Sequence, residues 1–532
     1  MLTIPPTTPV PVAGRRITAR HASVDRGGQT VLAAIDLTVG APEVVAVGGP
    51  SGAGKSTLLE LLAGRRRPSR GRVDTSAGAD VLRAGFVPQD DLVHRDLPLR
   101  QSLIASAALT VRERPDERAA RVDRVLHELD LADHRHQPVG TLSGGQRKRA
   151  SIAAELLARP TVLFLDEPTS GLDPLTAAEL MATLRGLADD GTAVVLTSHH
   201  VDDLCRSDRL VLLDRTGRVA FDGPPADAAA TLDAEDLHAV YRRLAAARRL
   251  PTDSDASPAS GPNQGRVPAR AAIPDRDVPG IARQTAVLVA RNARVLTRGR
   301  LTLAVLLGAP ALVIAMMATL FPSDVGTAAP ATGLRDQLTF WMAFAAFFFG
   351  LTFGLLQIVD EVPIVRREQR LGLRLSAYLA AKVLVLLPLL MAVTTLLVIV
   401  LHGLDRLPVT SGGEARVILV TLWLSAAAAL ALGLAASALV RSAAQAALAL
   451  PMLCFPQVLF AGAVVPVEAM PAVGRWTSTG LVNRWTFEAL RGGIGVAGPV
   501  ASPWASWATL VALTAIGLLG ARVALGRRMR PD

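Results

Sequence analysis

The second half of the chain is dominated by long apolar segments with few charged residues. From residue 301 onward, six such segments are each long enough to cross a hydrocarbon layer of about 30 Å as a helix. They are residues 301–321, 338–359, 378–401, 417–440, 443–464 and 507–525. Lipid offers the backbone no hydrogen-bond partners, so a spanning segment of this kind must be helical. The sequence therefore predicts an all-α polytopic membrane domain over residues 299–532, with the lipid bilayer as its surroundings.

Basic residues near the segment ends predict the orientation of this domain. The loop between the second and third segments contains Arg366, Arg367, Arg370 and Arg374. Such clusters stay in the cytoplasm, and an even number of segments returns the chain to the side on which it began. Both termini are thus expected on the cytoplasmic side of the plasma (inner) membrane. Arg475, Arg484 and Arg491 in the fifth-to-sixth connection oppose this orientation, although long connections follow the rule weakly.

Residues 17–245 mix charged and apolar residues as a soluble α/β domain does. Between residues 89 and 142, apolar residues recur at helical spacing, which predicts a helical subdomain. A short apolar run at 44–47 precedes a glycine-rich loop, and a helical pattern follows. The loop consists of Gly49, Pro50, Ser51, Gly52, Ala53, Gly54, Lys55 and Ser56. In a strand–loop–helix unit, backbone N–H groups cradle phosphates, Lys55 reaches the β and γ oxygens, and Ser56 ligates Mg²⁺. Thr57 is expected to add a phosphate contact.

The choice of lysine at position 55 is informative in itself. All but three of the 56 basic residues in the chain are arginine; the exceptions are Lys55, Lys148 and Lys382. Arginine offers a planar fork of donors, whereas lysine offers a compact ammonium group. A chain so biased toward arginine that keeps lysine in a glycine-rich loop indicates a site that requires the compact group.

Two acidic residues follow a second apolar run, at 161–165. Asp166 is expected to hold Mg²⁺ through water, and neighbouring Glu167 to polarise the attacking water as general base. A pair of solvated acids at the end of a strand is the alternative interpretation. The continuation Pro-Thr-Ser-Gly-Leu-Asp, which ends at Asp173, favours the catalytic one.

His199 and Gln89 complete the candidate nucleotide site. A third apolar run at 193–197 ends just before His199, which is expected to contact the γ-phosphate; adjacent His200 is the alternative. Gln89 lies in a predicted loop, where its amide is expected to ligate Mg²⁺ and sense the γ-phosphate. Polar groups at the carboxyl ends of parallel strands typically define a nucleotide site. ATP and Mg²⁺ are therefore the predicted cofactors.

A five-residue pattern narrows the class of ATPase. It consists of Leu142, Ser143, Gly144, Gly145 and Gln146. Ser143 is suited to cap the helix that follows, and the glycines let the backbone approach a phosphate closely. Free N–H groups and the dipole at a helix N-terminus attract anionic oxygens. The pentapeptide is thus predicted to provide half of an ATP site.

The order of the glycine-rich loop, Gln89, the pentapeptide, Asp166, Glu167, Asp173 and His199 resembles the ABC nucleotide-binding domain over residues 17–245. The resemblance implies that two such domains stack head to tail, with residues 142–146 of one protomer closing over ATP held by residues 49–56 of the other. It also implies that Asp173 takes part in cross-talk between protomers. One chain carries one set of motifs and so requires a partner. A second copy would form a homodimer, and a similar half-transporter is the alternative.

An ATPase domain that precedes six membrane segments resembles the G subfamily of ABC transporters, the pleiotropic drug-resistance type of half-transporter. Residues 89–94, 361–378 and 483–490 carry this resemblance. It implies an amphipathic connecting helix over 281–298, after a linker at 246–280. It also implies that residues 362–376 transmit motion from the ATPase domain. Ordinary basic segments on the membrane surface are the alternative for both.

The sequence departs from the family pattern in the region expected to contact the adenine base of ATP. The family usually offers an aromatic residue before the first strand, whereas residues 24–28 contain none. Arg26 in this stretch is able to stack its planar guanidinium on the base, and a solvated turn arginine is the alternative. Residues 1–16 before it are proline-rich, lack the apolar core of a signal peptide and are predicted to be disordered.

Charge and polarity bear on what the protein handles. The formal net charge is +10, but many arginines flank apolar segments and no basic patch carries interleaved aromatics, so nucleic acid is not an expected partner. Ionisable residues lie near the segment ends, which favours a hydrophobic or amphipathic cargo such as a lipid, drug or secondary metabolite. Candidate polar contacts, or simply helix-to-helix hydrogen bonds, are Gln445, Gln457, Thr394 and Thr395. The alternative function is an ATP-driven mechanical or regulatory membrane complex through which nothing passes.

Overall fold

A computed structural model of the chain describes residues 16–40, 42–76, 84–89, 93–110, 113–246, 279–322, 332–407, 411–493 and 503–529. The chain forms two compact units that divide between Pro279 and Gly280. The predicted disordered N-terminus lies outside the described residues except for Arg16. The predicted linker also lies outside them, except for Ala246, Pro279 and Gly280.

The first unit contains the predicted α/β domain. Its strands are β1 (Arg16–Arg26), β2 (Gln29–Val39), β3 (Val44–Gly48), β4 (Arg70–Ser76), β5 (Ala84–Val87), β6 (Val162–Leu165), β7 (Ala193–Thr197), β8 (Arg209–Leu213) and β9 (Val219–Gly223). Its helices are α1 (Lys55–Leu62), α2 (Leu99–Thr110), α3 (Pro115–Glu128), α4 (Gly144–Leu156), α5 (Pro174–Asp189), α6 (Val201–Cys205), α7 (Ala228–Thr231) and α8 (Leu237–Ala246). Arg16, the last residue of the predicted disordered N-terminus, is the first residue of β1.

The six-stranded sheet of this unit brings the candidate site residues to one edge. Its strand order is β5-β6-β7-β3-β8-β9, and every neighbouring pair is parallel except β8 and β9. β3, β6 and β7 are buried throughout and, apart from Thr197 at the end of β7, lack polar side chains, as is usual for central parallel strands. Because these three strands are neighbours, the residues after their carboxyl ends gather at the same edge.

Apolar side chains alternate between the two faces of the sheet and form two cores. Val45 and Val47 of β3 pack with α1 and with the antiparallel sheet β2-β1-β4. Val44 and Ala46 pack on the other face with α2, α3, α4 and α5. The first core supports the glycine-rich loop, which joins β3 to α1. The second supports the helical subdomain that the sequence predicts between Gln89 and the pentapeptide.

The second unit is helical, as predicted. Its helices are α9 (Ile281–Arg298), α10 (Arg300–Leu320), α11 (Thr332–Leu355), α12 (Val362–Arg370), α13 (Leu375–Gly403), α14 (Gly412–Leu439), α15 (Ala443–Leu459), α16 (Ala472–Thr479), α17 (Val482–Gly493) and α18 (Pro503–Arg528). Four helical runs among the described residues are long and apolar enough to span a bilayer: the run that begins with α11, and α13, α14 and α18. α10 and α15 contribute shorter apolar stretches, so the count of six spans stays a prediction.

Helices α11 and α14 are in backbone contact through small residues. A Cβ added at Gly350 would lie 2.3 Å from the carbonyl oxygen of Ala426, and one at Gly354 would lie 2.6 Å from that of Leu430. A Cβ added at Gly433 of α14 would likewise lie 2.6 Å from the carbonyl oxygen of Leu351 in α11. Gly350 and Gly354 are four residues apart, the spacing that lets two membrane helices approach closely.

Helix α9 is fastened to the segment that joins α11 to α13. Arg291 and Glu368 form a hydrogen-bonded ion pair in which both side chains are 1% exposed. The amide of Gln284 donates to the carbonyl oxygen of Gly372 (3.0 Å) and accepts from the N–H of Arg374 (3.0 Å). The predicted connecting helix is therefore anchored by buried polar groups.

Candidate functional site

The glycine-rich loop adopts a conformation that favours glycine. Gly49, Gly52 and Gly54 have φ of 140°, 79° and 94°, backbone conformations that residues other than glycine rarely adopt. A Cβ at Gly49 would lie 2.5 Å from the carbonyl oxygen of Leu213, and Gly54 is the N-cap of α1. The loop therefore presents backbone N–H groups at a helix N-terminus, the arrangement that binds phosphate.

Lys55 is buried beside this loop. Its Nζ donates to the carbonyl oxygens of Gly49 (2.9 Å) and Pro50 (3.1 Å). Burial lowers the pKa of Lys55 from its ordinary value, while the carboxylates of Glu167 and Asp166 act in the opposite direction. A buried ammonium whose hydrogen-bond acceptors are neutral carbonyls gains from an anionic ligand. This donor set fits a polyphosphate.

Asp166 lies within reach of two hydroxyl groups. Its Oδ1 accepts from Ser56 Oγ (2.9 Å) and from Thr197 Oγ1 (2.8 Å). Carboxylate and hydroxyl oxygens are the hard ligands that Mg²⁺ prefers. The structure thus brings together Ser56 and Asp166, both predicted to hold the metal ion. The sequence analysis did not predict a role for Thr197 in the site. The one sequence signal for such a role is its hydroxyl group at the end of an otherwise apolar strand.

Glu167 is held in an unusual backbone conformation next to His199. Its φ is 45°, and its N–H donates to Thr197 Oγ1 (2.8 Å). Non-glycine residues in this region are uncommon and concentrate at functional sites. Oε1 of Glu167 lies 3.6 Å from Nδ1 of His199. Of the two candidate histidines, His199 thus lies beside the candidate base, whereas His200 is the N-cap of α6.

Asp203 joins the segment after Glu167 to the segment that carries His199. Its buried carboxylate accepts from Thr169 Oγ1 (2.6 Å) and Ser198 Oγ (2.7 Å). The same Ser198 oxygen accepts from the N–H of His200 (3.0 Å). Sequence reasoning missed Asp203, because an acid in the first turn of a short helix is an ordinary capping residue.

Tyr241 of α8 contacts the glycine-rich loop from the end of the domain. Its hydroxyl oxygen accepts from the N–H of Gly49 (2.7 Å) and lies 3.5 Å from the carbonyl oxygen of Ser198. Burial raises the pKa of Tyr241 to about 12, so the hydroxyl is protonated at neutral pH. Sequence reasoning missed this residue; its one signal is that the chain has only two tyrosines.

The pentapeptide forms the N-terminus of α4. Ser143 is the N-cap: its Oγ accepts from the N–H of Gln146 (3.2 Å), and the Gln146 side chain accepts from the N–H of Ser143 (2.9 Å). This reciprocal pair is a capping box. His134 Nε2 lies 2.9 Å from Gln146 Nε2 and holds the amide from the other side. Leu142 is buried beneath the turn, and Gly144 follows the cap.

Asp173 and the pentapeptide meet at Thr176. Asp173 caps α5 by accepting from the N–H of Thr176 (3.0 Å). Hydrogen bonds from the side chain and the backbone of Thr176 lower the pKa of Asp173. A Cβ at Gly145 would lie 2.3 Å from Cγ2 of Thr176. Gly145 therefore has a packing requirement within its own chain, in addition to the phosphate approach predicted for it.

Lys148 ties the pentapeptide helix to the loop that contains Gln89. Its buried Nζ donates to the carbonyl oxygens of Pro88 (3.1 Å) and Gln89 (3.1 Å). Two of the three lysines thus serve the site through contacts with backbone carbonyls. Gln89 is exposed just after β5 and Arg26 is exposed at the end of β1, where each remains a candidate.

The geometry defines a P-loop nucleotide-binding domain of the ATPase class, followed by a polytopic helical domain. Residues 32–170 match the family model described as "ABC transporter", and residues 283–494 match the one described as "ABC-2 type transporter". The chain therefore belongs to the ABC transporter family. Its ATPase domain precedes its membrane domain, which is the order found in G-subfamily half-transporters.

Similar proteins agree with this assignment. An ABC transporter ATP-binding/permease protein of Mycobacterium tuberculosis is 34% identical over 87% of this chain, which spans 56% of that protein. A daunorubicin resistance ATP-binding protein of Streptomyces coeruleorubidus is 36% identical over 43% of this chain and 75% of its own length. ABC transporter G family member 25 of Arabidopsis thaliana is 39% identical over 38% of this chain and 33% of its own length.

Proposed function

We propose that the protein is an ATP-hydrolysing exporter of hydrophobic or amphipathic molecules that works as a dimer. The observation that carries the proposal is the convergence of Lys55, Ser56, Asp166, Glu167 and His199 at one sheet edge, in a chain that continues into an ABC-2 type membrane domain. The ATPase domain and both termini lie in the cytoplasm in this proposal, and the membrane is the plasma (inner) membrane.

Each site residue has a role that its surroundings support. Lys55 and the loop N–H groups bind the phosphates, while Ser56, Asp166 and Gln89 would hold Mg²⁺, which would neutralise phosphate charge during transfer. Glu167 accepts a proton from the attacking water, and His199 orients the γ-phosphate and that water. Thr197 positions the acids by bonding to both of them.

The partner in this proposal is a second copy of the chain. The chain carries one glycine-rich loop and one pentapeptide, so a head-to-tail homodimer supplies two complete ATP sites. Within each site, Ser143 and the N–H groups of Gly144 and Gly145 contact the phosphates bound by the other protomer. Asp173 accepts a hydrogen bond from Thr176, which packs against Gly145 of the pentapeptide. In this proposal Asp173 couples the two ATP sites of the dimer.

An apolar cargo is favoured because the polar side chains that could contact a cargo are already hydrogen-bonded within the protein. Gln457 accepts from the N–H of Asn483 (2.8 Å), and Gln445 accepts from that of Arg441 (2.8 Å). Thr394 donates to the backbone of its own helix (2.8 Å to Leu390 O), as does Thr395. Helix-stabilising hydrogen bonds therefore account for these groups, which leaves lipids, drugs or secondary metabolites as the proposed cargo class.

Transport by the purified chain in proteoliposomes tests the proposal. Vesicles with outward-facing ATPase domains are screened with labelled lipids, drugs and secondary metabolites. ATP-dependent accumulation is expected for the wild type. Intact ATPase activity without accumulation of any compound would instead support the mechanical or regulatory complex.

Glu167→Gln provides the matched control, because it removes the proton acceptor and keeps the shape of the side chain. We expect ATP binding to be retained and turnover to fall by roughly a hundredfold or more. Both binding and phosphate release are measured. Persistent hydrolysis in this variant would exclude Glu167 as the base without affecting the assignment of the binding loop.

A further inference from the structure

Three arginines from separate parts of the second unit meet at one end of its helices. Arg366 lies on α12, Arg441 follows α14, and Arg528 is the last residue of α18. Nη2 of Arg366 donates to the carbonyl oxygen of Arg528 (2.8 Å), and Nη1 of Arg528 donates to that of Val440 (2.6 Å). We call Arg366, Arg441 and Arg528 the arginine cluster.

The charge of this cluster is not balanced. Within the described part of the chain, the guanidinium groups of Arg366 and Arg528 donate to backbone carbonyls, and no member of the cluster forms an ion pair with a carboxylate. The like charges of Arg366 and Arg441 repel that of Arg528. Nε of Arg366 is buried and has no partner among the described atoms. Helix capping explains one N–H group on each of Arg366 and Arg528 and leaves the other donors available.

Exposed apolar side chains lie on the two helices that lead to Arg441 and Arg528. Leu439, at the end of α14, is 71% exposed, and Leu519 and Val523 of α18 are 61% and 45% exposed. α14 and α18 are both apolar enough to span a bilayer, so these side chains face acyl chains near the membrane boundary. A guanidinium cluster at that depth meets lipid headgroups, and guanidinium forks match phosphate geometry.

We propose that the arginine cluster binds the phosphate of an anionic phospholipid in the cytoplasmic leaflet. The lipid phosphate accepts hydrogen bonds from the free guanidinium donors and relieves their mutual repulsion, and its acyl chains lie against Leu439, two residues before Arg441. Anionic lipids are concentrated in that leaflet. The proposal uses the cytoplasmic assignment of this end of the helices but is independent of ATP hydrolysis and of any cargo.

The test uses the purified full chain in neutral detergent. Native mass spectrometry measures binding of short-chain phosphatidylglycerol, with short-chain phosphatidylcholine as the neutral comparison. Wild type is expected to bind phosphatidylglycerol preferentially, and Arg441→Gln to weaken this binding about fivefold. Arg441 is exposed and its guanidinium has no hydrogen bond within the described residues, so this variant is expected to keep the fold. Arg366→Gln is expected to act in the same direction.

Arg527→Gln is the matched control, because Arg527 is exposed and one residue from Arg528 on the same helix. We expect it to bind like wild type; an equal loss would indicate diffuse surface attraction and overturn the site. Inorganic phosphate that displaces the lipid at equal concentration would overturn the lipid as the ligand and leave a soluble anion. Thermal unfolding without lipid shows whether each variant is folded. If Arg366→Gln is misfolded, the comparison of lipid binding rests on Arg441→Gln. Equal binding of both lipids by wild type would overturn the proposal outright.

Discussion

At the scale of single residues, two hydroxyl groups organise the nucleotide site. Thr197 bonds to both Asp166 and Glu167, and Tyr241 bonds to the backbone of Gly49. Neither residue carries charge or a reactive group. Their contribution is to satisfy backbone N–H groups and to hold catalytic acids in position, which is how a site becomes preorganised before substrate arrives.

Tyr241→Phe tests this role in the glycine-rich loop. The change leaves the ring in place and removes the acceptor for the N–H of Gly49, and a buried donor without a partner costs about 1–3 kcal/mol. We expect ATP binding to weaken by roughly fivefold or more, measured with a fluorescent nucleotide. Tyr378→Phe, in the second unit, changes the only other tyrosine and is expected to leave ATP affinity unchanged. Equal affinity in both variants would show that the contact is dispensable.

At the scale of elements, α9 is held by a buried ion pair rather than by an apolar face alone. Arg291 and Glu368 are each 1% exposed, and Gln284 adds two backbone contacts to the same segment. Removing both charges from the water costs energy that their attraction partly returns. Removing one partner leaves the other charge buried without compensation, so the pair is more sensitive to single changes than to a joint change.

Glu368→Ala should therefore lower the free energy of unfolding of the second unit by roughly 3–5 kcal/mol. The double change of Arg291 and Glu368 to leucine should cost much less, because no unpaired charge remains. Denaturant unfolding of the purified chain in detergent measures both. Arg294→Ala, an exposed arginine on the same helix, is the control. A double variant as unstable as the single one would show that the pair contributes through packing.

The contact between α11 and α14 gives a second prediction at this scale. Gly354→Ala places a methyl group 2.6 Å from a backbone oxygen of α14, which requires the helices to separate. Such overpacking typically costs about 1–3 kcal/mol. Gly333→Ala lies on the same helix where a Cβ meets nothing within 4 Å, so it is expected to be neutral or slightly stabilising. Thermal unfolding in detergent separates the two; similar behaviour would contradict the close approach.

At the scale of the whole molecule, the arrangement of motifs predicts how activity is shared between two chains. When Lys55→Ala and Ser143→Arg are on different protomers of a mixed dimer, one composite ATP site keeps a normal loop and a normal pentapeptide. When both changes are on the same protomer, each composite site contains one defect. ATP hydrolysis is therefore expected in the first mixed dimer, purified free of homodimers, and not in the second. Activity in the second mixed dimer alone would mean that loop and pentapeptide act within one chain.

The sequence predicted most of what local patterns encode. The glycine-rich loop, the acids after β6 and the capping serine of α4 each depend on neighbours within a few residues, and the structure places them as expected from strand and helix patterns. The missed contacts are long-range: Tyr241 meets Gly49 across 192 positions, and Thr169 meets Asp203 across 34. Periodicity has no signal for such pairs, because they depend on how distant elements pack.

The glycines between α11 and α14 have a mechanical consequence. Most helix pairs are separated by a layer of side chains that change rotamer when one helix slides over the other. Here backbone lies on backbone at Gly350, Gly354 and Gly433, so no such adjustable layer exists at these points. We expect α11 and α14 to move together as one rigid pair. Any opening of the helical bundle is then expected at interfaces between other helices.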